Sequence, residues 1–586
     1  MKKLFLIVFA LTSISINAQY FQHLYGTVDE ERGISGVNVF LQPQGHLMAS
    51  NNINNFAGTS NLIVTYTDIN GTILGAPNFN NEYIITSPIS GNVVSVTSAN
   101  VFELENGSGF GVVGLYTDNA LPQPGIFYLQ LDPMGNALTI YDYTPAPGII
   151  AWYNLLNVAA VAKSPGTDDI YITGGTESSA AANFIYALKI NSVTGNIIWS
   201  SFYDIVQPNS PKKEFANDII ESPYMPFGQP EVVIVGGAYD INSTSIDGFL
   251  IRINSNTGIP SFGWAIYYGT AATSEQFTSI DIANSPSGGS NGFIIGGTAA
   301  GNDFWLTKVD PTGGTIWSYV YDNSVLPGNN DICNDVKERL NTLGNYEYYA
   351  CGTTSNISGS SDILVIKTDD LGNGILNGEF TYNSGGVDEG FALDQYNGTG
   401  ADGLSIFGIS FNGGIGQADE YLIKAYFDGK SGCNQSFSTP MAQLGPGLYN
   451  ETTLDYFDNF LQNSLTSTQS SVSDFNLCYR IRIPGGSNAR VAPTEPKGDK
   501  EAKVSPNPIA QGTQYANVEV DIEQPTTAQV SVYDMLGRTY YAQTFTLVKG
   551  KNNLVLDMSN INMAQGMYTV KIQGENLNKN IMLLVK

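Results

Sequence analysis

The sequence is poor in the side chains on which many enzymes depend. Of 586 residues only two are histidine, His23 and His46, and only four are cysteine. Zinc sites draw on several His or Cys ligands, and neither HExxH nor CxxC occurs, so a histidine-based zinc centre is not expected. The string GGSNG at 288–292 has the spelling of a hydrolase nucleophile turn. That fold requires a histidine after the serine, and none follows here.

Positive charge is also scarce. Asp and Glu number 53 against 26 Lys and Arg, which gives a net charge of −27, and charged residues make up only 13% of the chain. Nucleic acids and anionic membrane surfaces are bound through clustered Lys and Arg, so neither is an expected partner. A hydrophobic content of 42% argues against disorder, and 63 glycines with many Thr, Tyr, Ile and Val favour short strands and tight turns. The predicted fold class is all-β.

Residues 1–18 have the pattern of a secretory signal peptide. Two lysines precede an apolar run that ends near Leu11, and small and polar residues follow up to Ala18. We predict cleavage between Ala18 and Gln19. The alternative is an uncleaved membrane anchor, which needs about 20 apolar residues, and this run is too short. No later stretch is long enough, so no transmembrane segment is expected in the mature chain.

Residues 504–586 predict a small β-sandwich behind a polar linker at 485–503, because alternating apolar runs are separated by Gly-containing turns. This segment resembles the type A C-terminal sorting domain of the type IX secretion system of Bacteroidetes. The resemblance rests on residues that occur in order along the segment: Pro506, Asn507, Pro508, Gly537, Arg538, Gly566, Tyr568 and Lys586.

The resemblance implies a route and partners. It predicts passage through the periplasm and across the outer membrane, with recognition by the type IX secretion machinery. It also implies removal of the domain by a sortase-like peptidase, which leaves the cargo extracellular or attached to the cell surface. An ordinary immunoglobulin-like module is the alternative interpretation.

One pattern recurs seven times within residues 19–440: an apolar strand, Asp or Asn, a short turn with Gly, and a second strand that often carries an aromatic. The turn glycines are spaced by 55 to 64 residues: Gly71, Gly135, Gly195, Gly258, Gly313, Gly372 and Gly429. A fixed period of this length is typical of repeat architectures. About four strands per unit match one propeller blade, so we predict a seven-bladed β-propeller followed by the small immunoglobulin-like sandwich.

The N-terminal residues 21–26 (FQHLYG) are similar to the strand after the turn in other units, so we expect them to complete the last blade and close the ring. An open solenoid is the alternative. The repeats also resemble propeller repeats common in type IX cargo proteins, a resemblance that fixes a shape and no function. Trp199, Trp264 and Trp317 recur near the turns and are predicted to pack between blades.

Residues 441–484 lack the repeat. We expect a short helix in TTLDYFDNFLQNSL (452–465) and a strand in NLCYRIRI (476–483). Four cysteines in an exported chain allow three disulfide pairings. The most local pairing joins Cys333 to Cys351 and Cys433 to Cys478, and four reduced thiols are the alternative.

Carboxylates are the remaining chemical resource. Two of them near a propeller channel would suffice for a glycosidase or lyase. The runs at Asp68–Gly71 and Asp369–Asp370 offer oxygen ligands for Ca²⁺, but they occupy ordinary turn positions of the repeat, so no cofactor is expected. The sequence thus favours an exported, non-enzymatic binding, adhesion or structural surface module with a glycan or surface protein as partner. The alternatives are a carbohydrate-active enzyme, or a passive spacer with recognition carried by 441–484.

Overall fold

The computed structural model describes residues 20–476 and 503–585, apart from short stretches in the connections between strands. These residues form strands and one 3-10 helix at Glu105–Gly107, so the predicted all-β class is confirmed. No helix in the described part is long and apolar enough to cross a membrane. The chain divides into two compact units, Met1–Arg482 and Ile483–Lys586. Ala18 and Gln19 lie outside the described residues.

In the first unit the described strands before residue 435 form seven antiparallel groups, here called blades 1 to 7, each with four strands except blade 3, which has five. The chain enters through β1 (Phe21–Gly26), which belongs to blade 7. Blade 1 consists of β2 (Glu30–Val39), β3 (Gly45–Asn54), β4 (Thr59–Asp68) and β5 (Phe79–Thr86). Blade 2 consists of β6 (Ser95–Glu103), β7 (Phe110–Thr117), β8 (Gly125–Leu131) and β9 (Ala137–Pro145). Blade 3 consists of β10 (Asn154–Leu155), β11 (Ala160–Lys163), β12 (Asp169–Glu177), β13 (Ile185–Asn191) and β14 (Ile197–Val206). In blade 3, β10 and β11 both pair with β12 and share the innermost position.

Blade 4 consists of β15 (Lys212–Ser222), β16 (Glu231–Asp240), β17 (Ile246–Asn254) and β18 (Pro260–Tyr268), and blade 5 of β19 (Gln276–Ala283), β20 (Gly292–Ala299), β21 (Asp303–Val309) and β22 (Thr315–Asp322). Blade 6 consists of β23 (Asn330–Leu340), β24 (Tyr346–Ser355), β25 (Ser361–Asp369) and β26 (Gly374–Tyr382). Blade 7 consists of β27 (Asp388–Tyr396), β28 (Gly403–Ser410) and β29 (Asp419–Ala425), together with β1. The innermost strand of each blade contacts that of the next, and the contact of β27 with β2 completes the cycle.

The N-terminal strand supplies the outer strand of blade 7. It pairs antiparallel with β29, with Leu24 opposite Tyr421, and the side chains of Leu24 and Tyr25 are fully buried. Apolar clusters fill the junctions between neighbouring blades, so both faces of each sheet are covered. This explains why strands such as β20 are apolar throughout rather than alternating.

Residues 435–476, here called the belt, run around the outer edges of the blades. Each belt strand pairs antiparallel with the outer strand of a blade, in the order 6, 5, 4, 3, 2, 1 and 7, with one strand shared by blades 4 and 3. The belt strands are β30 (Gln435–Ser438), β31 (Met441–Leu444), β32 (Leu448–Phe457), β33 (Phe460–Ser464), β34 (Thr466–Ser471) and β35 (Ser473–Asn476).

The helix predicted at 452–465 is therefore wrong. Those residues belong mainly to β32 and β33, because the outer strand of a blade presents unpaired N–H and C=O groups that an extended segment can satisfy. The strand predicted at 476–483 lies outside the described residues except for Asn476.

The second unit is a two-sheet sandwich. One sheet has the order β36 (Lys503–Ser505), β37 (Tyr515–Ile522) and β40, and the other has the order β39, β38, β41 and β42. The remaining bounds are β38 (Thr526–Asp534), β39 (Thr539–Leu547), β40 (Gly550–Asp557), β41 (Gly566–Gly574) and β42 (Leu577–Val585). The apolar side chains of the two sheets form one core, which includes Val518, Val532 and Ile572.

Candidate functional site

The innermost strands of blades 4 to 7 bring four aspartates together around one lysine. Asp218, Asp281, Asp335 and Asp394 belong to four successive blades, and Lys337 Nζ lies 3.0 Å from Asp335 Oδ1. Burial alone would lower the pKa of Lys337, but the charges of Asp335, Asp281, Asp218 and Asp394 raise it above its ordinary value. These five residues, here called the axial cluster, bring charged side chains from four blades together.

Each axial aspartate also joins its blade to the next one. One carboxylate oxygen accepts a hydrogen bond from a backbone N–H of the following blade, at 2.7 to 2.8 Å: Asp218 from Ile280, Asp281 from Glu338, Asp335 from Leu393 and Asp394 from Asn38. The other oxygen accepts from the N–H of the residue that follows the aspartate, at 2.7 to 2.9 Å. The four carboxylates are thus held by the backbone of the ring itself.

The pKa values of Asp218, Asp281 and Asp394 are raised above that of an exposed carboxyl group. Burial is the largest cause, and it raises the pKa of Asp218 and of Asp394 to about 6 and raises that of Asp281 as well. Ser279 Oγ lies 3.0 Å from Asp218 Oδ2 and 2.7 Å from Asp335 Oδ1. A hydroxyl donates one proton only, so both contacts are hydrogen bonds when one of the two carboxyl groups is protonated.

The seven turn glycines lie where the sequence placed the turns, with φ between 69° and 95°. In blade 5, Asp310 Oδ1 accepts the N–H groups of Thr312 and Gly314, and a Cβ on Gly313 would stand 2.4 Å from Ile266 of blade 4. The left-handed φ is what favours glycine there, and a larger side chain would also have to displace the end of the Ile266 side chain.

A ring of tyrosines, which the sequence analysis missed, connects these turns. The hydroxyl of a tyrosine in the outer strand of each blade donates to the carbonyl of the turn glycine in the next blade, at 2.5 to 2.8 Å. The pairs are Tyr25–Gly71, Tyr83–Gly135, Tyr143–Gly195, Tyr203–Gly258, Tyr268–Gly313, Tyr321–Gly372 and Tyr382–Gly429. The signal in the sequence is a tyrosine 8, 10 or 12 residues after a turn glycine.

Two of the predicted tryptophans pack between blades. The Trp199 and Trp317 indoles donate to carbonyls of Ser255 and Asp370 in the next blade, at 3.0 and 3.3 Å. The side chain of Trp264 lies outside the described residues.

The predicted bridge between Cys333 and Cys351 is absent, and both are buried free thiols. The physical reason is their direction. Cys333 Sγ faces Gly296 of blade 5, whereas Cys351 Sγ faces Gly390 of blade 7, so the sheet of blade 6 lies between them. Cys433 and Cys478 lie outside the described residues.

The turn carboxylates suggested for Ca²⁺ are engaged by their own turns. Asp68 Oδ1 accepts from the backbone of Asn70 and Thr72, and Asp369 Oδ1 accepts from Leu371 and Asn373.

Elsewhere, oxygens of Asp303, Asp322 and Asp331 lie within 4.8 Å of one another at the junction of blades 5 and 6. Burial, followed by the charge of Asp322, raises the pKa of Asp303 to about 6.

In the second unit, three residues of the sorting motif are described: two lie on β41 and one precedes β39. Gly566 opens β41, and Tyr568 is buried with its ring centre 5.2 Å from that of Tyr540. Arg538 is exposed just before β39. The remaining positions lie outside the described residues: Pro506, Asn507, Pro508, Gly537 and Lys586.

Residues 503–586 match the family described as the secretion system C-terminal sorting domain. This marks the chain as a type IX secretion cargo protein. The sorting domain implies recognition by the type IX machinery and export to the cell surface or the extracellular space. No curated protein matches the sequence of this cargo protein.

Solved structures show weak likeness. A quinohemoprotein alcohol dehydrogenase from Comamonas testosteroni has 11% identity and a TM-score of 0.33, with 71% of this chain and 78% of that one covered. A glycoside hydrolase family 32 protein from Bifidobacterium adolescentis has 8% identity and a TM-score of 0.25, with 76% and 80% covered. Dimeric latent PorU from Porphyromonas gingivalis has 9% identity and a TM-score of 0.12, with 97% of this chain and 34% of PorU covered.

Proposed function

We propose that this cargo protein is a binding, adhesion or structural module of the cell surface or extracellular space, with a glycan or a surface protein as its partner. The main support is that the axial carboxylates are occupied by hydrogen bonds to the backbone of the ring. Asp218, Asp281, Asp335 and Asp394 each accept two backbone N–H groups, and one of these belongs to the next blade. Carboxylates held in this way stabilise the ring and have little freedom to act as acid, base or nucleophile.

The proposed route follows from the sorting domain. The chain crosses the periplasm, and a sortase-like peptidase removes residues beyond the linker at 485–503. Mass spectrometry of the exported protein tests this step, because cleavage leaves a C-terminus between the two units. An exported chain that retains the full sorting domain would contradict it.

The binding role is tested by applying the full-length protein to arrays of glycans and of surface proteins. We expect retention on a defined subset of either array. A protein that binds nothing on both arrays would overturn a ligand-binding role and leave a structural one.

A second candidate, a carbohydrate-active enzyme, is favoured by one specific observation. Ser279 lies between Asp218 and Asp335, and the pKa of Asp218 is raised to about 6 by burial, so one carboxyl group of this pair can hold a proton near neutral pH. Paired carboxylates in different protonation states are what glycoside hydrolysis uses. Release of reducing ends from polysaccharides, abolished by Asp218→Asn in a protein that remains folded, would establish this candidate in place of the first.

A further inference from the structure

A pocket of about 320 Å³ opens at the junction of blades 6 and 7. It exists because β26 departs from the register of its neighbour. Ile366 pairs with Glu379 and Thr368 pairs with Gly374, so residues 375–378 bulge out of the strand. In blades 2, 3 and 5 the same strand skips only one residue at this point. In blade 4 it also skips four residues, between Pro260 and Ala265, so the wide bulge is shared by blades 4 and 6.

The bulge contains a residue with an unusual backbone conformation and an exposed apolar side chain. Asn377 has φ of 55°, and among the described residues it alone adopts a positive φ without being glycine. Such strained positions concentrate at functional sites. Leu376 beside it is 78% exposed, and the pocket behind is lined by Phe380 and Phe427. Both phenylalanines are buried, so the apolar surface open to a ligand is that of Leu376 and the half-buried Ile375.

The pocket carries positive charge in a strongly negative chain. Lys367 and Lys430 line it. Glu347 is shared by Lys367 Nζ and Arg339 Nη1, each at 3.1 Å, and the Arg339 guanidinium lies 3.3 Å from the centre of the Phe427 ring. Burial would raise the pKa of Glu347, but its hydrogen bonds and Lys367 lower it, so it is ionised.

Lys430 pairs with Asp428 and is 67% exposed. Among the residues that line the pocket, two lysines thus stand against one carboxylate, Asp428, an excess of one positive charge, whereas the whole chain carries −27.

We propose that this pocket binds a single acidic sugar residue at the end or branch of a glycan. The sugar carboxylate lies between Lys367 and Lys430, and the C–H face of the ring packs on Ile375 and Leu376. A volume near the lower end of the roughly 300–1,000 Å³ typical of ligand pockets suits one ring. The net charge of the chain repels polyanions, so long polyuronates are excluded as ligands. This inference rests on the proposed binding role and adds its ligand class and its place.

The test uses the full-length protein, with methyl β-glucuronide and methyl β-glucoside as probes in saturation-transfer NMR and calorimetry. We expect the uronide to bind at least about tenfold more tightly than the neutral glucoside. Lys430→Met should weaken uronide binding about tenfold, since it removes one charge-assisted contact. Lys163→Met, a partly exposed lysine of blade 3 that pairs with Glu105, is the control and should change nothing.

Equal affinity for both probes, unchanged binding by Lys430→Met, or no uronide binding at millimolar concentration would each overturn the pocket assignment. The glycan array separates this failure from that of the proposed function. If the wild-type protein and Lys430→Met bind the same array ligands equally, binding stands and the site lies elsewhere. If the wild-type protein binds nothing on the glycan and protein arrays, the binding role itself fails.

Discussion

Removing one hydroxyl group, that of Tyr25, tests whether the N-terminal strand closes the ring. Tyr25 is fully buried in β1, and its hydroxyl donates to Gly71 of blade 1 at 2.6 Å. Tyr143 makes the same contact with Gly195, at 2.7 Å, entirely within the sequential blades. Replacing either by phenylalanine leaves a buried carbonyl without its donor, which costs about 1–3 kcal/mol. We therefore expect Tyr25→Phe and Tyr143→Phe to lower the free energy of unfolding by similar amounts.

The assay is urea unfolding of the full-length protein, followed by fluorescence and circular dichroism. Tyr426→Phe is the control, because Tyr426 is 47% exposed and its substitution should be close to neutral. The loss at Tyr25 is a large share of the roughly 5–15 kcal/mol by which proteins are stable. If Tyr143→Phe destabilises the protein and Tyr25→Phe does not, the N-terminal strand does not close the ring.

Three further changes have defined outcomes. Gly313→Val should lower the melting temperature by several degrees, because valine at φ of 95° is strained and its Cβ meets Ile266; an unchanged transition would refute the turn requirement. Burial raises the pKa of Glu420 to about 7, so its contribution to stability, up to about 3 kcal/mol, is present below pH 4.5 and lost as pH rises through 7. Glu420→Gln should remove that part of the pH dependence in urea titrations, and an identical pH profile in the variant would count against it. Ending the chain at residue 500 should retain the protein inside the outer membrane, whereas normal amounts outside the cell would contradict the role of the sorting domain.

Local patterns made the strands and turns predictable. A glycine with positive φ after Asp or Asn leaves a clear trace in sequence, and so does an apolar strand of five to nine residues. The sorting domain was recognisable because its motif residues occur in a fixed order. These features depend on neighbours along the chain.

Features that depend on distant residues were not predictable. The belt strand β32 contains Thr452 and Thr453 and pairs with blades more than 180 residues earlier, so its own sequence could not reveal its partner edge. The direction of Cys333 and Cys351 toward opposite faces of one sheet follows from a bulge between Cys333 and Asp335. The axial aspartates likewise lie on four different blades, and they come together only when those blades are arranged around the ring.

On the proposed function, the exported propeller binds a ligand and leaves it unchanged. The most direct measurement is to incubate the purified full-length protein with a glycan that it retains on the array, and to analyse the recovered glycan by mass spectrometry. We predict that the glycan is recovered intact after long incubation, with and without EDTA. Recovery of shortened glycan at a rate that Asp218→Asn abolishes would contradict the claim and identify the axial cluster as an active site.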